Sequence, residues 1–328
     1  MLFFIFTLSS TSVAAAYPEI FVIPGGESIG LCLETGIYVT GKYEVETTGG
    51  DCSPWKKGDI KVGDKILEVN NITVKKIEDV QNIMTELTVE CDLLLKLKRK
   101  NEIINTTCGV VKTTNNRWSL GIYVKDHVLG IGTITYIHTE TNTFGALGHF
   151  VIEEELRGNN IGYITHSAIN GIRKSLPGMP GEKQATLNKE AIGNITNNTE
   201  VGIYGTLNKQ NILNTLTKLK ITAPNQVKVG PAEIWTVISD NTKERFSINI
   251  IEVKKQNYRG IKGIKIQITD EKLLQKTGGI IQGMSGSPII QNNQLVGAVS
   301  HVLVDTPEYG YGVFAMWMIE NNISQFGY

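Results

Sequence analysis

Ser285 stands in Gly283-Met284-Ser285-Gly286-Ser287-Pro288, a turn built almost wholly of small residues. Glycines on both sides allow backbone angles with positive φ and let a substrate approach closely. In such a turn the N–H groups of Gly283 and Ser285 can converge on one point and hold an oxyanion. The chemistry is nucleophilic acyl transfer, and it requires a base, because an isolated serine hydroxyl is a poor nucleophile at neutral pH. His149 is the first candidate, since "TFGALGHF" (143–150) surrounds it with small residues that leave an imidazole room to turn. His301, in the segment after the serine, is the second. An acid that orients the base is the third requirement. Between His149 and Ser285 there are two aspartates, Asp240 and Asp270. Asp240 lies in "SDNTKE", which reads as a solvated turn. Asp270 ends the run "IKGIKIQIT" and opens "DEKLLQKTGG", where it can also serve as a helix N-cap.

The elements around these residues read as strands. "PIIQNNQLVGAVSHV" follows the serine as strand, Asn-Asn turn, strand, and Pro288 with its β-branched neighbours argues against the helix that follows a hydrolase nucleophile elbow. From residue 101 to 328, short apolar runs alternate with Gly, Asn and Asp turns, for example "HVLGIGTITYI", "TEVGIYGTL" and "PAEIWTVI". That pattern predicts a mainly β domain, a barrel or sandwich with two lobes. "NILNTLTKL" (211–219) is a short helix candidate.

Residues 19–100 form a separate small unit in the sequence. Gly63-Asp64 precedes "KILEV", Asn70-Asn71 turns into "ITV", and "IEDVQNIMTEL" has apolar residues at helical spacing before the alternating strand "DLLLKLKRK". This order resembles a PDZ domain. The resemblance implies a peptide ligand added to a sheet edge, with "GGESIGLCL" (25–33) as the groove. Residues 1–18 are mostly apolar, and Ala14 and Ala16 near their end fit an A-x-A cleavage pattern, which predicts an export signal or membrane anchor.

Composition excludes some classes. Lys+Arg and Asp+Glu are both 32, so the chain lacks the basic surplus of a nucleic-acid binder. "KLKRK" (96–100) reads as a solvated strand end. The four cysteines, Cys32, Cys52, Cys91 and Cys108, have no CxxC spacing and no histidine cluster, which argues against zinc and leaves free thiols or disulfides. No cofactor or metal is called for.

"TFGALGH", "PGMPGEK" (177–183) and the segment from Thr269 to Val302, behind the PDZ-like unit, together resemble the SpoIVB peptidase family of endospore-forming bacteria. The order G-x-S-G-S-P, strand, turn, strand is also that of chymotrypsin-like serine peptidases. The resemblance implies a two-lobed chymotrypsin-like β-barrel peptidase domain with His149, Asp270 and Ser285 as the triad. It further implies a sporulation endopeptidase, exported from the forespore to the space between the two spore membranes, that cleaves itself and a membrane-associated regulator. Phe150 departs from the family, whose members often carry glycine after the histidine. The competing expectation is a PDZ peptide-binding protein whose β domain is catalytically silent.

Overall fold

The computed structural model describes residues 19–151, 162–208, 217–256 and 258–323. The expected export signal and most of the 211–219 helix candidate lie outside the described residues. Residue 219 begins a strand instead.

The chain is mainly β. Its first strands are β1 (Phe21–Pro24), β2 (Ser28–Lys42), β3 (Val45–Thr47), β4 (Gly50–Cys52), β5 (Lys65–Val69) and β6 (Ile72–Thr73). Helix α1 (Ile77–Thr85) precedes β7 (Cys91–Arg99), β8 (Glu102–Lys112), β9 (Trp118–Ser119) and β10 (Ile122–His138). Next come β11 (Thr143–Ala146), β12 (Gly162–Arg173), β13 (Glu182–Thr199), β14 (Gly202–Leu207) and β15 (Leu219–Ile221). The last third holds β16 (Gly230–Val237), β17 (Lys243–Val253), β18 (Ile264–Ile268), α2 (Glu271–Thr277), β19 (Pro288–Gln291), β20 (Gln294–Val302), β21 (Tyr309–Phe314) and α3 (Ala315–Ile323).

Two sets of antiparallel pairings each return to their starting strand. The first runs β2, β10, β11, β14, β13, β12 and back to β2. It encloses Ile29, Leu31, Leu33, Ile134, Phe144, Ile164 and Ile203. The second runs β16, β17, β18, β21, β20, β19 and back to β16. It encloses a larger core with Ile248, Ile266, Ile289, Val299 and Phe314. Closure leaves no free edge within either ring, which removes the main hazard of an exposed strand. β1 and β15 join the two, because β1 pairs with both β10 and β15, and β15 pairs in parallel with β20.

A third core lies outside the rings. It runs from Ile37 to Ile122 in sequence and includes Val69, Leu93, Leu95 and Leu97. In β7 these three leucines point inward while Leu94 between them is 49% exposed, the period-2 pattern of a strand with one buried face. Each buried leucine stabilises this unit by about 1.5–3 kcal/mol. The strand pair, helix and closing strand appear in the predicted order. Asn70 and Asn71, at φ 50° and 63°, make the predicted turn. The basic run ends this strand: Lys96 pairs with Glu68, and Arg99 with the buried Asp64.

The limits of this unit differ from those in the sequence reading. The 100/101 boundary falls in the β7–β8 hairpin, whose register runs on to Arg99 opposite Glu102. Residues 25–33, expected to form a peptide groove, carry no open edge over Ile29–Leu33. β10 covers one side of that stretch and β12 the other. The cause is the length of β2: fifteen residues let one strand serve the first ring at its start and the small unit at its end. All four cysteines are free thiols, and burial pushes the Cys108 thiol up to about 12.

Candidate active site

The turn that holds Ser285 is shaped by its two glycines. Gly283 and Gly286 have φ of 91° and 92°. Gly286 also has no room for a side chain, because a Cβ there would lie 2.1 Å from the Thr133 carbonyl oxygen and 2.4 Å from Leu147 N. The turn is tied to β10 of the first ring. Thr133 Oγ1 donates to Gly283 O at 2.7 Å, Thr133 N–H to Ser285 O at 3.0 Å, and Thr135 Oγ1 to Gly286 O at 2.8 Å. It is tied to β20 of the second ring through Gly286 N–H, which donates to Val299 O at 2.7 Å. Ser285 therefore sits where the two rings meet.

The backbone donors at this turn are oriented by the bonds of their neighbours. Lys183 N–H donates to Gln282 O at 3.0 Å, and Ser287 N–H donates to Met284 O at 2.9 Å. In a planar trans peptide the N–H points opposite to the C=O. Those two bonds thus aim the Gly283 and Ser285 N–H groups away from the donors that hold the Gln282 and Met284 carbonyls. Among the described residues neither N–H has an acceptor. Two unpaired donors held in place flank the serine, as an oxyanion site requires.

His149 follows β11. Leu147 and Gly148, both with φ near 70°, break the strand and turn the chain. A left-handed leucine is a strained residue, and it persists here because its side chain is 2% exposed and its N–H reaches Thr133 O. His149 Nδ1 lies 2.9 Å from Phe150 O. A carbonyl can only accept, so Nδ1 carries the proton and Nε2 keeps its lone pair. Burial pushes the His149 pKa below its ordinary value, against the opposing pull of the Phe150 carbonyl. The ring of His301 lies 5.3 Å from that of His149. Burial, then the neighbouring His149, hold His301 down at about 4, and its buried Nδ1 has no hydrogen-bond partner among the described residues. Both imidazoles are thus neutral at pH 7.

His149, Gly283 and Ser285 open onto one cavity of about 590 Å³. Ser285 Oγ–H donates to Ser300 O at 3.4 Å, a long bond that leaves the hydroxyl free to turn. Asp270 is not brought to this group. It is the N-cap of α2: Oδ1 accepts from Leu273 N–H at 2.9 Å and Oδ2 from Ser247 N–H at 3.5 Å. Asp240 is exposed in a turn bridged to Ile169, and its carboxylate accepts from Ser239 Oγ. In this conformation the bond that orients His149 comes from the Phe150 carbonyl.

Four residues that shape the site escaped the sequence reading: Thr133, Thr135, Lys183 and Ser300. Thr133 and Thr135 recur at period 2 in "GIGTITYI", a buried polar pair on one strand face, and that was the available signal. Lys183 is 3% exposed, and its Nζ donates to Thr236 Oγ1 at 2.9 Å. Its stem packs on Gly283, where a Cβ would meet Lys183 Cδ at 3.0 Å.

A mainly β chain with a serine in a glycine turn, flanked by free N–H donors and sharing a cavity with a neutral histidine, has the parts of a serine peptidase. The model of the SpoIVB peptidase S55 family matches residues 116–319. The chain belongs to that family, and it is a serine endopeptidase. The crystal structure of the active form of the Rv3671c protease from M. tuberculosis is similar at 15% identity, with a TM-score of 0.35, over 61% of this chain and 75% of that one. An inactive form of the same protease gives 15% identity and a TM-score of 0.33, over 60% of this chain and 85% of that one. No match was found among curated proteins.

Proposed function

We propose that this chain hydrolyses peptide bonds through an acyl-enzyme, with Ser285 as nucleophile and His149 as general base. The observation that carries this reading is the pair of acceptor-free N–H groups at Gly283 and Ser285, oriented by the bonds that Lys183 and Ser287 make to the preceding carbonyls, Gln282 O and Met284 O. Rotation about the Ser285 side chain moves Oγ from Ser300 O toward His149 Nε2. Oγ attacks the substrate carbonyl carbon and its proton passes to Nε2, while the two N–H groups take the oxyanion. Collapse breaks the C–N bond, and Nε2–H protonates the leaving amine. Water then enters by the same route in reverse and frees Ser285. The Phe150 carbonyl keeps the proton on Nδ1 before the reaction and stabilises the imidazolium during it.

The two closed rings of six strands fit a two-barrel, chymotrypsin-like architecture with the site at their junction. The unit around the third core fits a PDZ-like module, with its free surface elsewhere than residues 25–33. Membership of the family supports a role in sporulation signalling, with a membrane-associated regulator and the chain itself as substrates, after export between the spore membranes. Co-expression with the regulator, followed on a gel, tests this: cleavage of both proteins that Ser285→Ala abolishes is the expected result. Cleavage that survives the substitution would remove Ser285 from the mechanism.

A further inference from the structure

We infer that the cavity beside Ser285 binds the first residue on the amine side of the scissile bond, and that it selects a branched aliphatic side chain there. The inference rests on the reading of Ser285 as nucleophile and His149 as base.

Three observations carry it. The first is the wall. Leu31 of β2, Leu129 and Ile131 of β10, Leu147, and Ala185 and Leu187 of β13 line the cavity. Leu129 is 55% exposed, an apolar surface that a substrate side chain would cover. The amine of Lys183 is turned onto Thr236, so the polar part of this lysine is already engaged. A volume of about 590 Å³ holds a leucine side chain and adjoining backbone.

The second is its side relative to the reacting atoms. Ser285 Oγ rests on the carbonyl of Ser300 in β20. No residue of β20 or β21 lines the cavity. The cavity lies instead on the side of Gly283 and His149. The imidazole that takes the proton from Ser285 must hand it to the leaving nitrogen, so the leaving residue lies on the histidine side. The acyl side chain must then lie away from this cavity.

The third is the space at Gly130, which also lines the cavity. A Cβ there would meet nothing closer than Leu31 Cδ1 at 3.6 Å, an ordinary contact. Gly130 has no positive φ, so the strand does not need glycine for its conformation. The glycine keeps the cavity open.

The test uses the full chain and p-nitrophenyl acetate. The ester acetylates Ser285 and releases p-nitrophenolate as a burst. Glycinamide or leucinamide is then added in competition with water. The amine nitrogen bonds to the acetyl carbon, the ester bond to Oγ breaks, and His149 carries the proton from nitrogen to Oγ. Mass spectrometry counts acetyl-glycinamide and acetyl-leucinamide. Leucinamide should intercept the acyl-enzyme at least about tenfold better than glycinamide. Gly130→Val should reduce that preference to below about twofold. Ala185→Phe fills the cavity from the opposite wall and should do the same if Gly130→Val folds poorly. A burst followed by equal use of the two amides would overturn the cavity assignment and leave the nucleophile in place. The absence of a burst would overturn the nucleophile, and the cavity assignment with it.

Discussion

Lys183→Met should stabilise the protein at neutral pH and remove a component of its pH dependence. Lys183 is buried in β13, and among the described residues its Nζ bonds to the neutral hydroxyl of Thr236 alone. No carboxylate pairs with it among the described residues. Burial therefore pushes its pKa down to about 7, from the 10.5 of a free lysine. The unfolded chain binds a proton here between about pH 7 and 10.5 that the folded chain does not, so stability rises with pH across that window. The penalty is complete below about pH 7 and absent above about 10.5. At about 1.4 kcal/mol per pH unit its full size is about 5 kcal/mol. Methionine keeps the stem that packs on Gly283 and loses the bond to Thr236, worth about 1 kcal/mol. Urea unfolding of both proteins from pH 6 to pH 10 measures the difference. The advantage of the variant should shrink by about 2 kcal/mol between pH 7 and pH 9. A difference that stays constant with pH would show that Lys183 titrates normally and would refute the reasoning.

Further expectations follow from the site and the small unit. Because burial holds the His149 pKa down, the acid limb of kcat/KM should have an apparent pKa below 6.5; a limb above 6.5 would require a charged partner at this histidine. Asp270→Ala removes the N-cap of α2 and should cost about 1 kcal/mol in urea unfolding. Asp270→Asn keeps a capping oxygen, and with Phe150 orienting His149 it should leave kcat/KM within about threefold. A fall of about a thousandfold or more with unchanged stability would instead give Asp270 the role of the acid. Arg99→Met leaves the 1%-exposed Asp64 with only the Lys61 N–H and should destabilise the protein by about 3–5 kcal/mol, read by denaturant midpoint.

What the sequence made legible was local. Asn70-Asn71 and Asn292-Asn293 take the positive φ that their turns require, and both hairpins appear where the sequence predicts them. The Gly283–Gly286 turn was readable for the same reason. So was Asp270 as a cap, since "TDEKLL" carries its own helix start. Contacts between distant segments were not legible. β2 pairs Leu31 with Gly130 and with Ile164, partners about 100 residues or more away, and nothing in "GGESIGLCL" marks which edges will be filled. Thr133 and Lys183 look like ordinary strand residues until folding brings Gly283 against them. The place of Asp270 relative to His149 depends on how β18 and β11 sit in different rings, which residue spacing does not encode.

The central claim is that Ser285 is the nucleophile and His149 its base. Labelling the purified protein with a fluorophosphonate and mapping the modified peptide by mass spectrometry tests it most directly. One adduct on Ser285 is predicted, absent in Ser285→Ala and formed far more slowly in His149→Ala. An unlabelled protein, or an adduct on another residue that persists in Ser285→Ala, would contradict the account.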